Sequence, residues 1–97
     1  MDYEVIFSLD SQDDLNEIMD YIERMTFSIE KANKIANEII SKTILLKNYP
    51  YMYQKVYKNY HSLSVKNKRI FYEIDDKRKE VIIIHILGGF QNYEDYL

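Results

Sequence analysis

The segment Val81-Ile82-Ile83-Ile84-His85-Ile86-Leu87 is apolar at both odd and even positions, with a single histidine interrupting it. A strand with one wet face alternates, so a run apolar at both parities demands cover on both sides or a central place in a sheet. The run is far too short to span a bilayer and reads as a core strand. A chain of 97 residues has room for one domain and one core. The sheet holding this strand therefore has one helical layer for cover, and its other face needs an explanation.

The helical cover is legible upstream. Met1 to Ser8 alternates around Tyr3, Val5 and Phe7, a short strand signal. Ser8 to Ser11 offers N-cap candidates, with Asp13 and Asp14 in a first turn where the helix dipole favours anions. Leu15, Ile18, Met19, Ile22 and Met25 then form one apolar helical face. Ser28 can cap a second helix with the stripe Ala32, Ile35, Ala36, Ile39, Thr43 and Leu46, widened by Ile40 and Ile44 and stopped by Pro50. The short Thr26-Phe27 link makes the pair an antiparallel hairpin.

Beyond the helices, Tyr49 to Tyr60 holds tyrosines at 49, 51, 53, 57 and 60. Strands over Ser62 to Val65 and Arg69 to Ile74 flank Lys66-Asn67-Lys68, whose asparagine suits a tight turn. Asp75-Asp76-Lys77-Arg78 turns into the apolar run, and Gly88-Gly89 permits a sharp exit or close backbone approach. The expected architecture is one α+β domain over residues 1–97. An N-terminal strand and a helical hairpin precede a three- to four-stranded antiparallel meander packed on the helices. The sheet face away from the helices is expected to be an apolar, tyrosine-rich binding groove.

Charge sorts along the chain. Residues 1–30 carry nine acids and one base, Arg24, whereas residues 55–79 carry eight bases against Glu73, Asp75 and Asp76. A basic strand end would attract polyanions or an acidic protein segment, or else be simply solvated. Without cysteine, disulfides and thiolate chemistry are excluded. The acidic start is unlike a secretory leader, so a cytoplasmic location is expected, with no membrane partner.

Strand, two helices and a meander resemble the RelE/ParE superfamily of toxins from bacterial type II toxin–antitoxin pairs. The resemblance covers nearly the whole chain. It is carried by the N-terminal strand running into Ser8, by Asp14-Leu15 through Tyr21-Ile22, by Leu46 through Pro50, and by Val65 through Tyr72. It implies a growth-inhibiting toxin neutralised by a cognate antitoxin whose C-terminal segment wraps it, with an oligomer of toxin and antitoxin as one option and the oligomeric state left open. It implies no cofactor and no metal. Two targets stay open: ribosome-bound mRNA, cut by a metal-independent endoribonuclease, or DNA gyrase, poisoned without nucleolysis. A degenerate member that only binds antitoxin is the third option.

Toxins that cut RNA need cations on the phosphate and groups that move protons. Arg69 matches the arginine of the family's third strand, and Tyr93 or Tyr96 the tyrosine of the C-terminal tail. The chain departs elsewhere. Phe90-Gln91 stands where the family commonly has an arginine pair, and His61 precedes Leu63 by two where relatives carry an arginine. The family's lysines fall near Tyr60 and Ser62. These departures tilt the reading towards a ParE-like inhibitor.

The catalytic candidates are thus Arg69, His61, Tyr93 and Tyr96. Tyr53, Tyr57, Lys58, Lys66, Lys68, Phe71 and Phe90 are the candidates for antitoxin or target binding. Alternation puts Arg69, Phe71 and Glu73 on one face and Ile70, Tyr72 and Ile74 on the other. It places His61 opposite Arg69 unless a bulge intervenes, and groups His85 with Val81, Ile83 and Leu87 as a core histidine. For Arg69 the alternative is an ion pair with Glu73 or Glu80. Two histidines with no carboxylate pattern beside them make no metal site.

Overall fold

A computed structural model describes residues 2–89 and 91–97, so Phe90 lies outside the described residues. The chain runs β1 (Glu4–Phe7), α1 (Leu9–Thr26), α2 (Ile29–Ile44), a 3₁₀ turn (Leu45–Lys47), β2 (Lys55–Tyr57), β3 (Tyr60–Val65), β4 (Lys68–Asp75), β5 (Glu80–Gly88) and a last 3₁₀ turn (Tyr93–Asp95). Strands β2 to β5 form the antiparallel meander, and β1 joins β5 in parallel, giving a five-stranded sheet in the order β1-β5-β4-β3-β2. The doubly apolar strand is paired on both edges over its first half, Val81 with Val5 and Ile74.

Both caps follow from the serines. Ser8 accepts the Ser11 amide and Ser28 the Lys31 amide, each from an extended backbone, satisfying a donor that a helix start leaves free. Ala32 and Ala36 are buried, letting α2 lie close to the sheet side of the hairpin. The main core joins Ile39 and Leu46 to Leu63, Val65, Ile70, Tyr72, Val81, Ile83 and Ile86, with Leu15, Ile18 and Ile35 packed against it. Each fully buried aliphatic side chain contributes about 1.5–3 kcal/mol. The Tyr72 hydroxyl donates to the Pro50 carbonyl at 2.9 Å, and burial pushes its pKa up to about 12.

Two helical details differ from expectation. α2 stops at Ile44 and tightens into the 3₁₀ turn, well before Pro50. The Thr43 hydroxyl bonds back to the Ile40 carbonyl at this end, and the amides of Asn48 and Tyr49 close on Leu45. Ile40, Ile44 and Met25, assigned to apolar stripes, are exposed, because the stripe that reaches the sheet is narrower than the apolar sequence.

The larger difference lies in β5. Ile70 pairs with Ile86 and Phe71 with His85, but Tyr72 pairs with Ile83, so Ile84 is an extra residue. This bulge reverses the sidedness of everything after it. Ile86 enters the core while His85 and Leu87 move to the face of Phe71, which corrects the grouping of His85 with Val81 and Ile83. Strand β4 itself alternates without interruption.

Candidate functional site

The sheet face away from the helices is built from alternate residues of three strands. β3 supplies Ser62 and Ser64, which stand directly across from Phe71 and Arg69 of β4. His85 and Leu87 of β5 stand across from the same two residues on the other side. Phe71 is 0% exposed and Leu87 2%, although no helix covers them. Tyr93 of the chain's own tail packs on Phe71. The expected open groove is therefore partly filled, and this corrects the picture of a bare apolar face.

Gln91 sets the path of that tail. Its side-chain oxygen accepts the Gly88 amide at 2.6 Å, and its Nε2 donates to the Tyr96 hydroxyl at 3.0 Å. The Gly89 amide donates to the Asn67 carbonyl at 2.7 Å, and a Cβ on Gly89 would sit 3.2 Å from that oxygen. A side chain there would need the β3–β4 turn to give by a few tenths of an ångström. Tyr93 then lies over the sheet, its ring centre 5.3 Å from Phe71 and 5.7 Å from Tyr57. Arg69 packs on both Phe71 and Tyr93, with its guanidinium carbon 5.1 Å and 4.9 Å from the two ring centres. Lys58 closes the edge, donating to the Leu97 carbonyl at 3.1 Å while lying over the Tyr57 ring.

His85 joins this face with two acids beside it. Its Nδ1 contacts Asp14 Oδ2 at 2.8 Å, and its Nε2 lies 3.8 Å from Asp10 Oδ2. Asp14 Oδ2 also accepts the Ile86 amide at 2.9 Å, and Ser8 Oγ donates to the Ile84 carbonyl at 3.0 Å. Strand β1 ends at Phe7, so these two side chains serve the stretch of β5 edge that β1 leaves unpaired. The Tyr96 ring stands edge-on to the imidazole at 6.1 Å between centres.

The structure thus brings together Arg69, Phe71, Tyr57, Lys58, Tyr93 and Tyr96. His61 lies elsewhere. It is buried on the helix side, stacked 5.1 Å from Tyr72, with Nδ1 2.7 Å from the Tyr53 carbonyl. Tyr53 packs at the border of the same core. Lys66 and Lys68 line a hollow with Ile22, Thr26 and Lys34 on the helical side, and Lys66 lies 3.8 Å from Glu38. No carboxylate lies within ion-pairing reach of Arg69 among the described residues. No cluster of three or more histidine, aspartate or glutamate side chains is arranged there to hold a metal ion. No described helix is long and apolar enough to cross a membrane.

Residues absent from the sequence-based site are His85, Asp14 and Gln91. Only the bulge brings His85 to this face, and nothing in the local pattern announces it.

A sheet covered on one face by a helical hairpin is the fold of RelE/ParE toxins. Residues 5–93 match the family described as ParE toxin of type II toxin–antitoxin system, parDE, and the chain belongs to that family. No curated protein sequence matches it significantly. Among solved structures, the chromosomal ParDE system of P. aeruginosa is 16% identical with a TM-score of 0.77, covering 89% of this chain and 95% of that one. The RelBE2 toxin–antitoxin complex of Mycobacterium tuberculosis is 17% identical with a TM-score of 0.70, covering 91% and 92%. The isolated E. coli RelE toxin is 10% identical with a TM-score of 0.68, covering 97% and 94%. At these identities the likeness is one of fold.

Proposed function

We propose that this toxin arrests growth by binding a protein target, DNA gyrase, without cutting RNA, and that a cognate antitoxin neutralises it along the face carrying Arg69. The observation that supports the first part is the charge on that face. Among the described residues it offers Arg69, flanked by two rings, and Lys58 at the edge. Its histidine stands between Asp10 and Asp14, which repel an approaching phosphate.

An RNA-cleaving site must neutralise a phosphate that gains charge in the transition state. One well-placed donor is worth roughly 3 kcal/mol there, so replacing a cation pair by a ring and an amide is a large loss. A protein target makes no such demand. For the antitoxin, similarity to the ParDE and RelBE2 structures supports a partner of this kind. Arg69 presents a planar donor that suits a partner carboxylate. A stable pair buries about 1,500 Å² or more in total.

The test is a supercoiling assay with purified gyrase and toxin, beside a translation extract programmed with mRNA. Inhibition of supercoiling with intact message supports the reading. Full gyrase activity with message cut on ribosomes refutes it.

A further inference from the structure

At the tip of the helical hairpin one residue breaks two local rules. Phe27 ends α1 with φ 55°, the left-handed geometry that glycine ordinarily occupies because a Cβ is crowded there. It also directly precedes Ser28, the N-cap of α2, where an apolar side chain ordinarily packs onto the first turn of the next helix. The ring does not pack: Phe27 is 95% exposed. In the free protein the left-handed backbone is held by the Phe27 amide donating to the Glu23 carbonyl at 2.8 Å, whereas the bare ring has no burial to offset its exposure.

It does not stand alone. Met25, Ile29 and Tyr21 are each more than half exposed, and Tyr21, Phe27 and Ile29 line one hollow with Glu17, Asp20, Glu23 and Arg24. Isolated apolar residues on a surface are ordinary, whereas a contiguous cluster with a charged rim marks a contact site.

We infer that the hairpin tip is the surface by which the toxin grips its protein target, and that the target offers Phe27 an apolar pocket ringed by lysine or arginine. This rests on the reading of the chain as a toxin that binds a protein target. The rim selects that occupant. Three acids against one base repel nucleic acid and anionic lipid, and they disfavour the same tip of a second copy. A basic-rimmed pocket instead satisfies both the apolar centre and the acidic border. The face carrying Arg69 is built by β3, β4, β5 and the tail, so the two surfaces share no residue.

The experiment is induction of the full-length chain in growing cells, with thermal melts and sedimentation of the purified proteins. Phe27→Gly relieves the left-handed strain, so its melting midpoint stays level or rises while its killing, counted as surviving colonies, falls at least tenfold. Phe27→Asn, which tolerates the same backbone, does likewise. Phe27→Trp keeps the arrest, and Lys at Glu17, Asp20 and Glu23 together weakens it. Arrest by Phe27→Gly at the wild-type level overturns the inference. So does a wild-type dimer that Phe27→Gly abolishes, because the tip is then a self-contact. A wild type that leaves growth untouched refutes the toxin reading itself, and that failure is visible before any variant is compared.

Discussion

The guanidinium carbon of Arg69 lies 4.9 Å from the centre of the Tyr93 ring, so the tail of the chain roofs the arginine that a partner would reach for. The free protein therefore holds Arg69 beside the packed rings of Phe71 and Tyr93. Such a contact contributes about 0.5–1 kcal/mol at a partly exposed site, and the Tyr93–Phe71 ring pair about as much again. We expect Tyr93→Ala to lower stability by about 1–2 kcal/mol in urea titration and to speed amide exchange across Asn92 to Leu97. Unchanged exchange would show that the tail is held by Gln91 alone.

Arg69 and His61 project from opposite sides of the sheet, and their substitutions should separate accordingly. Arg69→Ala is expected to weaken rescue by the co-expressed antitoxin, leaving arrest by the toxin alone in place, while costing no more than about 1 kcal/mol of stability. His61→Ala removes a buried ring stacked on Tyr72 and bonded to the Tyr53 carbonyl, at a cost of about 1–3 kcal/mol. Growth assays beside thermal melts decide between them. A His61→Ala protein of full stability and no toxicity would contradict this division.

Asp14 serves the His85 ring and the Ile86 amide with one oxygen. Asp14→Ala should strip both and cost about 1–3 kcal/mol, with faster exchange at the Ile86 amide as the local sign. His85→Gln should cost less, since Asp14 keeps its backbone donor. Equal losses in the two variants would mean that the histidine, and not the strand edge, is what Asp14 holds.

Asp76 accepts hydrogen bonds from the hydroxyls of Tyr3, at 2.6 Å, and of Tyr51, tying β1 and the β2-proximal loop to the β4–β5 turn. These bonds hold the carboxyl of Asp76 below its usual range, push Tyr3 up, and push Tyr51 up to about 12. A depressed carboxylate adds stability that is present above about pH 4 and lost as pH falls through its folded value. A raised tyrosine adds stability present below about pH 10 and lost as pH rises towards the folded value. The urea midpoint should thus fall at both extremes, and Asp76→Ala should flatten both arms. An unaltered pH profile in that variant would rule the clip out as their source.

How much of this was legible in the sequence depends on the range of the interaction. The caps at Ser8 and Ser28, the hairpin and the two faces of β4 all follow from neighbours a few residues apart. The extra residue at Ile84 does not, because a period-2 count carries no mark where it slips. With it went the sidedness of His85, whose partner Asp14 is 71 residues away. The roof over Phe71 was equally hidden, since it depends on Gln91 turning the tail back through the Gly88 amide and the Tyr96 hydroxyl. Spacing alone gave no reason for a polar glutamine to set that path.

The central claim is that growth arrest proceeds without RNA cleavage, and primer extension on messenger RNA from freshly induced cells tests it most directly. We expect full-length message while growth has already stopped. Arginine at positions 90 and 91 together should raise cleavage if the rest of the site is intact. Strong, site-specific cuts at the ribosomal A site by the wild-type protein would contradict the account and make this toxin a ribosome-dependent endoribonuclease.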